Sequence, residues 1–119
     1  MKTIIHVDNS EFFRKLMRGF LEKEGFEVES FDSAQEANFS IGAGSGDMVI
    51  TALAFSEIEG MEFVQRIMES FSGPVIVVSS SVNKALEEKL IDLGVQAALS
   101  KSGAWQGKLK SHLAALKLS

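Results

Sequence analysis

The chain has 119 residues, 45% hydrophobic and 24% charged, with a net charge of −4 and a pI near 5.2. That length suits one domain, residues 1–119, able to bury about two thirds of the surface its unfolded chain would expose, and it excludes a multidomain enzyme. The acidic balance argues against a broad nucleic-acid surface, no apolar run approaches the ~18 residues of a membrane span, and the absence of cysteine excludes disulfides and thiolate metal sites. Met1 to Val7 lacks the apolar core of a signal peptide, because His6 and Asp8 interrupt it. A cytoplasmic protein with protein partners is expected, with neither nucleic acid nor membrane among them.

Thr3 to Val7 (TIIHV) has the composition of a short strand and ends at the polar cluster Asp8, Asn9, Ser10. His6 lies inside that apolar run with no second histidine near it, and is expected to pack in the core rather than to act as a ligand. Phe12, Phe13, Leu16, Met17, Phe20 and Leu21 then repeat at helical spacing, and Gly25 offers a left-handed end to that helix. Phe26 to Phe31 is a second strand. Ser33 and Glu36 have the spacing of a capping box and open a second helix through about Ile41, before the glycine-rich Gly42 to Gly46.

Met48 to Leu53 has the composition of a strand buried on both faces, with Thr51 its one hydroxyl. The C-terminal ends of such strands are where parallel sheets place their chemistry, yet Ala52 presents only a methyl group there. Ser56 and Glu59 again have capping-box spacing, ahead of Met61, Phe63, Val64, Ile67 and Met68. Gly73 and Pro74, the only proline, separate this helix from a fourth strand, PVIVVSS over Pro74 to Ser80. Val82 to Leu93 is a fourth helix stopped by Gly94, and Val95 to Leu99 an alanine-rich fifth strand. Gly103 to Leu118 is a last helix with Trp105, Leu109, Leu113 and Leu116 as its apolar face. Crossovers of this length demand parallel strands and right-handed connections, which predicts an α/β fold with an open five-stranded sheet between two helical layers.

Five landmarks stand in order along this pattern: IIHVDNS closing the first strand, DMVIT, Gly60 eight positions beyond Ala52, PVIVVSS, and the closing GVQAALSK. Together they resemble the receiver domain of two-component response regulators (CheY-like), over the whole chain. The resemblance implies the doubly wound, flavodoxin-like (βα)5 sandwich with strand order 2-1-3-4-5, and a place in phosphorelay signal transduction. In that family an acidic pair after the first strand binds magnesium, and an aspartate ending the third strand accepts phosphoryl from a histidine kinase. A Thr or Ser ending the fourth strand and a Lys after the fifth read the phosphoryl group. Carried over, Asp8 matches the acidic pair, Ser79 the hydroxyl and Lys101 the lysine. Asn9 holds the second acidic place, Ala52 the phosphoacceptor place, Ala98 that of the aromatic switch on the fifth strand, and Ser102 that of the proline after the lysine.

Acyl-phosphate formation needs a carboxylate nucleophile, and alanine has no atom that attacks phosphorus. Thr51 is expected on the opposite face of its strand and Leu53 is apolar, so neither restores the chemistry. A pseudo-receiver without enzymatic activity is expected. Magnesium prefers octahedral oxygen ligation anchored by carboxylates, and only Asp8 would be charged beside Asn9 and the Ala54 carbonyl, so no cofactor is expected and magnesium only weakly. One substitution at position 52 would not account for Asn9, Ala98 and Ser102 departing as well.

The retained residues each have a second reading. Asp8 and Glu11 have capping-box spacing, so Asp8 is also a candidate cap of the first helix. Ser79 is equally a strand-end hydroxyl bonded to backbone. Lys101 is either solvated or the partner of Asp8, and beside an apolar Ala52 the pairing is expected. Trp105 serves the core or a partner surface, with the core the stronger reading.

Two function classes follow. A phosphorylation-independent receiver binds a signalling protein or output domain through the fourth helix, fifth strand and fifth helix. Its surface around Leu86, Leu90, Trp105 and Leu109 is expected in one fixed conformation, with a trans Lys101–Ser102 peptide. The alternative is a small-ligand or anion sensor using a pocket near Asp8, Ala52 and Lys101. Flavin binding is disfavoured, because the turn after the first strand has no Gly, Ser or Thr-rich phosphate cradle. Helix-turn-helix DNA binding is not expected, since the chain ends with the receiver pattern itself.

Overall fold

In the computed structural model, which describes residues 1–118, strands and helices alternate without exception. Ser119, the last residue of the expected domain, lies outside the described residues. The elements are β1 (Thr3–Val7), α1 (Glu11–Lys23), β2 (Glu27–Phe31), α2 (Ala34–Gly42), β3 (Met48–Thr51), α3 (Gly60–Ser70), β4 (Val75–Ser79), α4 (Lys84–Leu93), β5 (Ala97–Ser100) and α5 (Trp105–Leu118). All pairings are parallel and the strand order is β2-β1-β3-β4-β5, the doubly wound arrangement expected. The chain winds outward in both directions from the β1/β3 pair, so the ends of β1 and β3 border the switch-point crevice where such sheets bind ligands.

Side chains alternate across each strand and divide the core in two. Ile4, Met48, Ile50, Ile76, Val78 and Leu99 meet Phe13, Met17 and Leu21 of α1 and Trp105, Leu109, Leu113 and Leu116 of α5. On the other face Ile5, Val7, Val49, Val75, Val77 and Ala98 meet α2, α3 and α4. The six apolar positions of α1 separate on this geometry. Phe13, Met17 and Leu21 are buried, Phe20 rests against Trp105, and Phe12 and Leu16 point outward, Phe12 with 75% of its surface exposed.

Local chemistry sets the element ends. Gly25 (φ +95°) and Gly94 (φ +106°) terminate α1 and α4 in the left-handed region that glycine enters without a Cβ penalty. Ser33 caps α2 by accepting from Glu36 N at 3.2 Å. α3 departs from expectation: Glu59, not Ser56, is its cap and accepts from Glu62 N at 3.1 Å, while Ser56 bonds to Glu57. α4 likewise starts after Asn83, whose side chain accepts from Leu86 N at 2.8 Å, and leaves Val82 outside. β3 stops at Thr51 rather than Leu53: Ala52 N still bonds to Val7 O of β1 at 2.9 Å, and the chain then turns away. β4 omits Pro74 and Ser80, β5 is shifted to Ala97–Ser100, and α5 begins at Trp105 rather than Gly103. Gly60 is required by close approach, since a Cβ there would lie 2.9 Å from the backbone carbon atoms of Leu53.

The surface expected around Leu86, Leu90, Trp105 and Leu109 is not one. Leu90, Trp105 and Leu109 are 0%, 5% and 0% exposed, and only Leu86 is half-buried. Helical periodicity marks an apolar stripe, and here the sheet covers that stripe.

Candidate functional site at the C-terminal edge of the sheet

The amide of Asp8 extends the β1/β2 ladder by bonding to Phe31 O at 3.0 Å, and the period of two places its side chain with Ile4 and His6 on the α1/α5 face. Lys101 follows β5 in the same way, its amide bonded to Ser79 O at 3.2 Å. Both side chains therefore converge above the same half of the core. Lys101 Nζ lies 2.8 Å from Asp8 Oδ2 and 4.3 Å from the centroid of the Phe13 ring. Asp8 Oδ1 accepts from Ser10 N at 2.9 Å, and Arg14 Nη1 donates to the Asp8 carbonyl at 2.7 Å.

This geometry separates the two readings of Asp8. Its carboxylate closes an Asx-type turn onto Ser10 and does not cap α1; the cap is Ser10, whose Oγ accepts from Phe13 N at 3.2 Å. Its other oxygen pairs with Lys101 across the ends of β3 and β4. Asp8 is buried and Lys101 mostly so, and such a pair roughly balances attraction against desolvation.

His6 lies on the same face and is fully buried, with its ring centroid 6.3 Å from that of Phe13. Among the described residues neither ring nitrogen has a hydrogen-bond partner. Burial lowers its pKa from 6.5 to about 4; the charge of Asp8 opposes the shift, and those of Lys101, Arg14 and Arg18 reinforce it. It is a neutral packed core residue at pH 7, as expected.

Ala52 is buried at the end of β3, beside the crevice. Thr51 shares the face of Val49, away from Asp8, and its Oγ1 donates to Ala52 O at 2.8 Å. Asn9 and Ala54 are exposed. Ser79 is buried, with Oγ 3.1 Å from Ser81 Oγ and accepting from Ser81 N at 3.4 Å. Ser102 makes the matching turn on the next strand, donating N to Ser100 Oγ at 3.3 Å, and no cis peptide interrupts it. Ala98 is buried on the opposite face from Lys101, in the core shared with Leu90.

The donors do not fit the magnesium site that the resemblance implies. Both oxygens of Asp8 are engaged by Ser10 N and Lys101, Asn9 points outward, and among the described residues no three His, Cys, Asp or Glu side chains cluster. Asp8 and Ala52 are both buried, and the ammonium of Lys101 rests on Asp8. Sequence reasoning missed the Phe13 ring under Lys101 and the Arg14 donor to Asp8. It also missed a bond of 2.6 Å from Ala34 N to Glu57 Oε1, between residues 23 apart, for which no local sequence signal exists.

A model of the response regulator receiver domain matches residues 4–113. The chain is similar to the KDP operon transcriptional regulatory protein KdpE of Escherichia coli (strain K12), 25% identical over 116 residues that make up 95% of this chain and 52% of that protein. It is also similar to protein-glutamate methylesterase/protein-glutamine glutaminase 1 of Syntrophomonas wolfei, 31% identical over 105 residues, 84% of this chain and 30% of that protein. The chain thus spans about half or less of these two curated relatives. Among solved structures, a response regulator receiver domain protein (CheY-like) from Methanospirillum hungatei superimposes with a TM-score of 0.86 at 20% identity, covering 98% of this chain and 94% of that one. A two-component response regulator from Clostridium difficile does so at 0.86 and 17% identity, covering 98% and 95%. At these identities the likeness is one of fold.

Proposed function

The chain belongs to the response regulator receiver domain family, and from that premise we propose that residues 1–119 are a pseudo-receiver, one domain of two-component signalling that acts by binding another protein without being phosphorylated. The observation that carries this reading is the end of β3, where Ala52 offers a methyl group and the Thr51 hydroxyl is turned to the other face and bonded to backbone. A phosphoryl group transferred there would find no oxygen nucleophile. Lys101, which would meet the phosphoryl group in a working receiver, is already neutralised by Asp8. With the carboxylate so engaged, magnesium is bound weakly at best and no cofactor is used. Ala98 has no ring to follow a switch, and the α4–β5–α5 face is held in one conformation.

That face is the proposed contact for a cytoplasmic signalling protein or output domain. Its exposed residues include Lys84, Glu87, Lys89, Ile91 and Gln96, a mixed polar and apolar surface suited to a reversible protein contact. Among the described residues no helix is long and apolar enough to cross a membrane, and the net charge of −4 does not favour nucleic acid. The small-ligand alternative has less support, since the ammonium of Lys101 has its counter-charge, Asp8, within the chain.

The test is incubation with acetyl phosphate, or with beryllofluoride and magnesium, followed by intact mass and amide chemical shifts. The expected result is an unmodified chain with unchanged shifts. A stable adduct mapped to this crevice overturns the reading. So do large coordinated shifts along α4 when Ala52→Asp is treated with beryllofluoride, because they would show that the switch persists.

A further inference from the structure

The β3–α3 loop, residues 52–59, spans the crevice end of β3 and the start of α3, and three contacts hold it down. Gly60 abuts the Leu53 backbone, where a side chain would not fit. The Phe55 ring packs edge-on against Phe63 with centroids 5.4 Å apart. The third contact leaves the loop altogether: Glu57 Oε1 accepts from Ala34 N, the first residue of α2, at 2.6 Å. This bond lies at the rim of a groove of about 340 Å³ between α2 and α3, lined by Gln35, Asn38, Ile58, Phe63 and Arg66 as well as Glu57 itself.

We propose that Glu57 is a latch that straps the β3–α3 loop onto α2 along the α2–α3 groove, so that its release loosens the loop as a unit. A carboxylate bonded to an N-terminal helix amide gains from the charge-assisted bond and the helix dipole together. Ser33 already serves the Glu36 amide in the same first turn of α2, so Glu57 supplies the anchor at Ala34 that the local sequence does not. Glu62 and Arg66 of α3, paired with each other, line the same groove. The Ala34 amide, first among several hydrogen-bond donors around it, holds the Glu57 pKa below the usual carboxylate range. Neither the bond nor the groove depends on the proposed loss of phosphorylation.

Backbone relaxation and amide exchange of the wild-type chain, Glu57→Gln and Glu57→Ala test this at one pH. In Glu57→Ala the Ala34 amide exchanges several-fold faster, and the heteronuclear NOE values of residues 53–59 fall together, with Glu57→Gln between the two. Ser33→Ala, which removes the other α2 cap, speeds exchange at Glu36 and leaves the loop ordered. Glu57 is exposed, so its replacement removes no core contact, and far-ultraviolet circular dichroism checks that the fold is retained. The proposal is overturned if Ala34 responds alone, if neither site responds, or if Ser33→Ala loosens the loop as much as Glu57→Ala.

Discussion

The α1/α5 face of the sheet carries a polar inlay within an aromatic core: His6, Asp8 and Lys101 stand among Phe13, Phe20 and Trp105. The α2–α4 face buries no charged side chain among the described residues: Ala34, Ala37 and Ala98 fill the space between Ile, Val and Leu side chains, and Phe63 and Phe71 are its buried rings. The difference teaches what the retained polar residues are worth as evidence. Asp8 and Lys101 are each engaged by groups that fix the β1–α1 turn and the start of the α5 region, so structure alone is reason enough for them to stay. Their presence does not argue for phosphoryl chemistry, and the smaller side chain at Ala98 on the other face removes nothing that this inlay needs.

The comparison breaks most visibly at Trp105. Trp105→Ala removes the ring between α1 and α5 and should cost about 3–5 kcal/mol in urea unfolding. A loss below about 1 kcal/mol would mean that the aromatic core does not join those helices.

A smaller effect, of opposite sign, sharpens the role of His6. Its imidazole takes a proton near pH 4 in the folded protein but near 6.5 when unfolded. Between those values the unfolded chain binds more protons, so stability falls as pH drops through that window, by about 2 kcal/mol at pH 5. His6→Leu should remove this acid slope and gain most over wild type at pH 5, with little difference at pH 8. Parallel stability curves for the two proteins between pH 8 and pH 5 would refute the assignment.

The smallest effect concerns the ion pair. Asp8→Asn leaves the Lys101 ammonium without its counter-charge and should lose about 1–2 kcal/mol. Asp8→Asn combined with Lys101→Met should recover most of that loss, because a buried pair contributes little beyond the hydrophobic alternative. A double variant no more stable than Asp8→Asn alone would show that the pair contributes more than a hydrophobic replacement does.

Most of the fold was legible because β3 and β4 carried continuous apolar runs and α1, α3 and α5 spaced ones. The stops at Gly25 and Gly94 were legible because only glycine enters the left-handed region freely. Competing polar groups at helix starts were harder. Ser10 and Glu59 displaced Asp8 and Ser56 as caps, a choice decided by loop geometry that spacing does not encode. Periodicity also could not separate the stripe that the sheet buries, with Leu90, Trp105 and Leu109, from apolar residues left outside, such as Phe12 and Phe39. At the site, the approach of Lys101 to Asp8 followed from the order of strands. Its seat on Phe13 and the Glu57–Ala34 bond depend on tertiary placement alone.

Trp105 is the only tryptophan in a chain that has no tyrosine, and its ring lies 5.2 Å from that of Phe13 and 5.5 Å from that of Phe20. Excitation in the red edge of the near ultraviolet therefore reaches a single fluorophore, placed where α5 docks on α1. Its emission reports on the seating of those two helices and, being screened from the far side by the sheet, takes little notice of events among α2, α3 and α4. The molecule carries an optical gauge for one of its two halves.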